Sequence, residues 1–206
     1  MKNGVLSDTQ ISDLIDSGAV GADVPFASGQ VQPASLDLRL GNRAYRVRAS
    51  FLAGRGQTVT AHLDQFTMHE IDLSDGAVLE KGCVYVVPLM ENLSLPKGMT
   101  AAASAKSSTG RLDLLTRIIT DNGVEFDRVA DGYSGPLFVE ICPRSFSVLV
   151  RPGLMLNQII FRQGKTFIND EDLAALHAKT PIVNGIAVIS DGLGFSVDLK
   201  PQSGNL

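Results

Sequence analysis

Several resources that common functions draw on are scarce in this sequence. Its 206 residues carry 18 Lys and Arg against 22 Asp and Glu, a formal charge of −4. A chain that neutralises nucleic-acid phosphates over a wide face is normally basic. No nucleic-acid polymer is therefore expected as a partner, and any phosphate must be met in a local pocket. Only two cysteines are present, Cys83 and Cys142. They are far apart and form no C-x-x-C pattern, which argues against a disulfide framework and leaves two small buried hydrophobes as the plain reading. The three histidines, His62, His69 and His177, are scattered without metal-ligand spacing. The zinc-deaminase signature, H-x-E with a later P-C-x-x-C, is missing. So are the G-x-S-x-G elbow and the GxxxxGK(S/T) spacing of a Walker loop. Any deamination would have to be zinc-free. No run of about 18 apolar residues occurs, and Met1-Lys2-Asn3-Gly4 leads into polar sequence rather than an apolar leader. No membrane partner is expected, and the expected location is cytoplasmic. No repeat recurs at a fixed period.

What is present is enough for a core. Hydrophobic residues make up 44% and charged residues 19%, so a packed domain is expected, alone or with an appended segment. Ser7-Asp8-Thr9-Gln10 reads as a capping box, with Ile11, Leu14 and Ile15 at helical spacing and Gly18 ending the run. Residues 21–33 read as loop. Beyond them the pattern turns to strand. Ser35 to Leu40 alternates with period two and stops at Gly41-Asn42. Further strands are expected over 84–90, 137–142, 146–150 and 154–161, separated by turns rich in Gly and Pro. Many short strands of this kind indicate a mainly β fold, a sandwich or barrel. After Gly164 the character changes. Asn169 or Asp170 can cap a short helix through His177, and weak strand-like runs cover 182–190 and 195–199. This organisation reads as a domain over 1–164 and an appended α/β segment over 165–206, the segment being a candidate truncated link to a further domain.

A few segments carry chemistry. Lys106-Ser107-Ser108-Thr109-Gly110-Arg111 packs two cations and three hydroxyls into one tight turn. Such a turn can cradle an anion, or it can be an ordinary solvated loop. Glu140 stands in the strand Leu137-Phe138-Val139-Glu140-Ile141-Cys142, sharing a face with Phe138 and Cys142. It lies either at a solvated edge or in the interior, and a buried carboxyl can act as general acid and base near neutral pH. Asp131-Gly132-Tyr133-Ser134-Gly135 marks a tight turn into that strand, and Tyr133 can stack on a sugar or simply pack. Asp37 and Arg39 share a strand face and are expected to pair with each other.

Taken together these segments resemble the dUTPase/dCTP-deaminase superfamily. Pro33 to Gly41 resembles its first motif, and Lys106 to Leu112 its phosphate-binding motif. Gly132-Tyr133-Ser134-Gly135 followed by Leu137-Phe138-Val139-Glu140 resembles the deaminase's stretch around its glutamate. Arg151 to Ile159 resembles the strand that follows. The resemblance runs from about residue 7 to about 163. It implies a distorted β-barrel or jelly-roll with a short N-terminal helix, a nucleotide-binding domain over 1–164, and a homotrimer with sites between subunits. It also implies Mg2+ carried on the triphosphate. The deaminase branch, dCTP to dUTP and ammonia, is the better match, with dUTP and dTTP as further candidate ligands. Carried over by position, Glu140 is the catalytic glutamate and Ser107 the serine near the attacking water. Lys106, Ser108, Thr109 and Arg111 are triphosphate ligands; Arg128, Tyr133, Val139 and Gln158 line the substrate.

The sequence departs from the family pattern at Asp113, where Gly is usual, and at Ala130, where Asp is usual. The stretch 115–127 is longer than the family's. The tail past Gly164 resembles the longer bacterial deaminases, whose chains continue beyond residue 206. Two other readings stay open: a dUTP pyrophosphatase, and a catalytically silent nucleotide-binding half of a longer protein.

Overall fold

The computed structural model describes residues 3–196. β1 (Gly4–Val5) leads into α1 (Asp8–Asp16), whose start is held as the sequence indicates: the Ser7 N–H donates to Gln10 Oε1 at 3.0 Å, within a capping box. The stretch read as loop contains two short strands, β2 (Val20–Ala22) and β3 (Val31–Gln32). Strands this short have no readable period and exist because longer neighbours accept them. β4 (Ser35–Arg39) and β5 (Arg43–Val47) flank Gly41-Asn42. α2 (Val59–Phe66), not anticipated from sequence, is capped by Thr58, whose hydroxyl accepts the Ala61 N–H. Then come β6 (Thr67–Asp72), β7 (Ala77–Leu79), β8 (Val84–Ser94) and β9 (Met99–Ala105). A single helical turn, α3 (Ser107–Arg111), precedes β10 (Leu114–Thr120), β11 (Arg128–Val129) and β12 (Ser134–Pro143). β13 (Val148–Val150), β14 (Met155–Gln163) and α4 (Asp170–Lys179) complete the described elements.

The strands form two antiparallel sheets. Sheet one runs β11-β9-β14-β4-β3, with β1 beside β14; sheet two runs β10-β12-β8-β5-β6, with β2 beside β8; β13 and β7 pair separately. The mainly β expectation therefore holds. Between the sheets lies the main core. Leu36, Leu38, Met99, Ile159 and Phe161 of sheet one pack with Tyr85, Val87, Ile118, Leu137, Val139 and Ile141 of sheet two. Alternation along each strand puts the intervening residues on the outer faces.

The outer face of sheet two is covered rather than solvated. Residues 48–66, between β5 and β6, fold back over it. Phe51, Ala53, Val59 and Leu63 bury against Val86, Ile119 and Phe138, with Phe126 and Phe66 at the margin, forming a second apolar cluster. Burial of each large side chain stabilises this cover by roughly 1.5–3 kcal/mol. Its outer segment is also tied to the β10–β11 loop. Gly54 N–H donates to Gly123 O and Asn122 N–H to Gln57 O, both at 2.9 Å. Gly56 and Val59 N–H donate to the side chains of Asn122 and Asp121 at 2.9 and 2.7 Å.

The chain divides into two compact units, Met1–Lys165 and Thr166–Leu206. In the second, α4 starts where expected, the Asn169 side chain accepting the Asp172 N–H at 2.8 Å, and it buries none of its residues. The strand expected over 182–190 is not formed; only an isolated bridge joins Ile189 to Leu193. Ile182, Ile186 and Val188 are 42%, 95% and 65% exposed, so among the described residues this β-branched run has neither a ladder partner nor a surface to cover. The run expected over 195–199 extends past the described residues. Among the described residues no helix is long and apolar enough to cross a membrane.

Candidate functional site

The Lys106–Arg111 segment is a helical turn rather than the expected tight turn, closed by Gly110 N–H to Lys106 O at 3.0 Å. This sorts its side chains. Ser107, Ser108 and Arg111 are exposed. Thr109 turns inward, 2% exposed, and its hydroxyl donates to Leu156 O at 2.8 Å. That donor docks α3 on β14. The Lys106 ammonium pairs with the Asp37 carboxylate, which is 2% exposed. A buried carboxylate demands a countercharge, so the Lys106 charge is already engaged. Asp37 and Arg39 do not pair with each other, contrary to expectation. Arg39 instead meets Glu91, its Nε donating to Oε1 at 2.7 Å and its backbone N–H to Oε2 at 2.8 Å. Gln30 Nε2 adds a third bond to Glu91 at 2.8 Å.

Glu140 is buried, 2% exposed, which settles the choice left open by the sequence. It projects from the outer face of sheet two, beneath the cover, with Val86 and Arg117 directly opposite on the flanking strands. Arg117 donates to Glu140 Oε1 from Nε at 3.1 Å and from Nη2 at 2.5 Å. Glu140 Oε2 is buried without a partner. Arg117 also donates to Ser50 Oγ at 3.0 Å and lies over the Phe126 ring, 3.7 Å from its centroid.

Arg128 and Tyr133 do come together. They line a cleft of about 490 Å3 bounded by residues 120–125 and 128–134. Arg128 is exposed, with Glu125 Oε2 at 3.7 Å. The Tyr133 hydroxyl donates to Pro136 O at 2.6 Å and accepts the Asp121 N–H at 3.3 Å. Burial pushes this phenol up to about 12, so it stays a neutral donor and braces the turn. Ala130 faces the same cleft, and the neighbouring Asp131 carboxylate accepts the Gly98 N–H at 2.5 Å. Asp127, at the far end of the β10–β11 loop, has φ 61° and accepts the Ile118 N–H at 2.8 Å. Burial holds its carboxyl above the ordinary value, outweighing the Ile118 bond and the Arg117 charge.

Val139 and Gln158 fare differently. The Val139 side chain is fully buried in the main core. It cannot line a substrate with that side chain, because alternation points it away from the Glu140 face. Gln158 lies on the outer face of sheet one, opposite Asp37 and Ser104 in register, with Ser104 Oγ accepting from its Nε2 at 3.4 Å. It is thus near the Lys106–Asp37 pair. Glu140 and Gln158 project from opposite faces of the sandwich with the core between them. One chain does not gather Glu140 with Gln158 and the α3 residues.

Sequence reasoning missed Arg117, Glu91 and the role of Asp37 as partner to Lys106. Arg117 had one available signal, a lone cation in the apolar strand Leu114–Thr120, but its partner follows only from register.

This architecture has relatives. Residues 2–165 match the family model described as the 2'-deoxycytidine 5'-triphosphate deaminase N-terminal domain. The dUMP-forming dCTP deaminase of Methanoculleus marisnigri is 31% identical over 165 residues, covering 76% of this chain and 79% of the relative. That of Corynebacterium glutamicum (strain R) is 28% identical over 163 residues, covering 77% and 80%. The crystal structure of 2'-deoxycytidine 5'-triphosphate deaminase from Agrobacterium tumefaciens superposes with a TM-score of 0.83 at 49% identity. It covers 91% of this chain, while the chain spans 56% of the Agrobacterium polypeptide. With its two sheets, its α3 segment and its Glu140 strand all inside the matched region, the chain belongs to the dCTP deaminase family, through that family's N-terminal domain.

Proposed function

We propose that the protein built on this chain deaminates dCTP to dUTP and ammonia, with Glu140 as general acid and base. The observation that carries the reading is a carboxylate 2% exposed, on a strand of the family's domain, with Oε2 free of any partner. Water adds to C4 of the cytosine while the carboxylate accepts its proton. That proton passes to N3; the carboxylate then takes the proton of the new C4 hydroxyl and delivers it to the amine, so that the C4–N bond breaks, ammonia leaves and the C4 carbonyl of uracil remains. One carboxyl group that accepts and then donates serves each transfer. Ser107 would hold the water, and Ser108 and Arg111 the triphosphate. Arg128 and the Tyr133 turn would line the sugar and base.

Because Glu140 projects from the face opposite to Gln158, which lies beside the Lys106–Asp37 pair at the start of α3, the reading requires a second copy or a homologous domain to complete each site. A homotrimer of such domains, operating in the cytoplasm, is part of the proposal. Among the described residues no three His, Cys, Asp or Glu side chains gather as a metal cage. Mg2+ is proposed to arrive on the triphosphate, held by its phosphate oxygens.

The relatives' names specify dUMP as product. Forming dUMP requires a carboxylate to orient water on the α-phosphate. Here Ala130 stands at the usual Asp position and Asp131 is occupied by the Gly98 N–H, which favours release of dUTP. Glu140→Gln tests the main reading: triphosphate binding should persist while ammonia release is abolished. Equal ammonia release from the two proteins refutes it. A second reading, a catalytically silent half of a longer protein, is favoured by Arg117 lying on Glu140 beneath the cover. Tight dCTP binding without ammonia release by the wild type would select it.

A further inference from the structure

Arg117 meets Glu140 much as a cytosine would. A protonated cytosine offers a flat cationic amidine, with N3–H and an exocyclic N–H side by side and faces suited to an aromatic ring. Arg117 offers a flat cationic guanidinium, with Nε and Nη2 both donating to Glu140 Oε1 at 3.1 and 2.5 Å. Its face lies 3.7 Å from the Phe126 centroid. The site around it is closed by the chain itself. Ser50 takes another Nη2 hydrogen at 3.0 Å, and residues 54–59 are strapped to residues 121–123 by the backbone and side-chain bonds described above.

In the structural Arg39–Glu91 pair both carboxylate oxygens have partners, Oε1 taking Arg39 Nε and Gln30 Nε2 and Oε2 the Arg39 backbone N–H. The Arg117–Glu140 pair uses one. Oε2 remains buried and empty-handed, an expensive arrangement in an apolar cover. It is what remains when an occupant supplies the amidine-like donors but not the remaining contact.

We infer that Arg117 is an internal occupant of the base position: it closes Glu140 to a pyrimidine until the guanidinium is displaced. The inference rests on the proposed role of Glu140 as the base-facing carboxylate. Base binding then competes with the Arg117 contact, so dCTP affinity is reduced by the fraction of molecules in which that contact is closed.

Calorimetry of the full chain with Mg2+ tests this, using dCTP and inorganic tripolyphosphate as probes on wild type, Arg117→Ala and Phe126→Ala. The wild type should bind the two probes within about threefold of each other, since the base gains nothing. Arg117→Ala should prefer dCTP by about tenfold or more, and Phe126→Ala should shift the same way by less. If Arg117→Ala does not fold, as judged by circular dichroism, Phe126→Ala decides alone. The inference is overturned if the wild type already prefers dCTP by about tenfold, or if folded variants show no gain in preference. Absence of tripolyphosphate and dCTP binding in all three proteins would overturn the nucleotide reading and this inference together.

Discussion

Glu91→Gln should be among the most damaging single-atom changes available to this domain. The side chains of Glu91 and Arg39 are 0% and 6% exposed. Three donors converge on the carboxylate: Arg39 Nε, Arg39 N–H and Gln30 Nε2, at 2.7, 2.8 and 2.8 Å. The amide keeps the volume but removes the charge. It also turns an NH2 toward one of those donors, so a buried guanidinium is left uncompensated and a donor faces a donor. Breaking a buried pair from one side costs about 3–5 kcal/mol, a large share of the roughly 5–15 kcal/mol that holds such a domain folded. With a urea slope of roughly 2 kcal/mol/M, the midpoint should fall by about 1.5–2.5 M at unchanged slope. The chain has no tryptophan, so far-UV circular dichroism is the suitable signal. Arg39→Met combined with Glu91→Leu should recover part of the loss. Recovery should be incomplete, because Pro25 O and Val24 O also lose the Arg39 donors. A Glu91→Gln loss below about 1 kcal/mol would refute the view that this pair is electrostatically isolated from water.

Other outcomes follow from the same geometry. Arg111→Ala should weaken dCTP binding roughly 10- to 150-fold in calorimetry while leaving thermal stability unchanged; Arg111→Lys should restore only part, lacking the planar fork. Tyr133→Phe removes the donor to Pro136 O and should cost about 1 kcal/mol at neutral pH in urea unfolding. The phenol is raised from 10.0 to about 12. Its protonated form therefore favours folding, and this contribution is lost as pH rises from 10 through 12. Burial also raises the Tyr85 phenol, so both proteins should lose stability over that window and Tyr133→Phe should lose less than the wild type. Asp127 is held above its ordinary 3.8 by burial, so its contribution is present below 3.8 and is lost as pH rises through the higher folded value. Asp127→Asn keeps the acceptor for Ile118 N–H without the charge. It should raise the melting temperature at neutral pH, with the gain vanishing in acid; a lower melting temperature at pH 7 would contradict the burial argument.

Where the sequence carried a short-range pattern it was readable. The Ser7–Gln10 capping box, the Ser35–Arg39 alternation and the Asn169 cap all involve residues within a few positions of one another, and each appears as expected. The cover was not anticipated, although Thr58, Val59, Leu63 and Phe66 carry a cap and a helical stripe. Partners brought together by strand register or by packing of one sheet on the other were beyond reach. Arg117 faces Glu140 across 23 positions and Arg39 faces Glu91 across 52, and nothing local specifies either. The expected Asp37–Arg39 pair failed because same-face spacing identified two charges needing partners, while the fold brought Lys106 at the start of α3 to Asp37 and Glu91 of β8 to Arg39.

The placement of β14 bears on how the protein can be made. This strand lies between β9 and β4 in sheet one and is the last strand of the first unit. During synthesis, β4 can pair with β3 but leaves the ribosome long before Met155–Gln163 exists, so its other edge waits open while more than a hundred residues are added. Sheet one cannot assemble from the N-terminus forward; it must close in a late step around a strand that arrives at the end. Such non-local closure is slow and leaves apolar edges open in the interval. Ribosome-stalled chains ending before residue 155 should therefore be protease-sensitive throughout, and chains extended past residue 165 and clear of the exit tunnel should become resistant in one step.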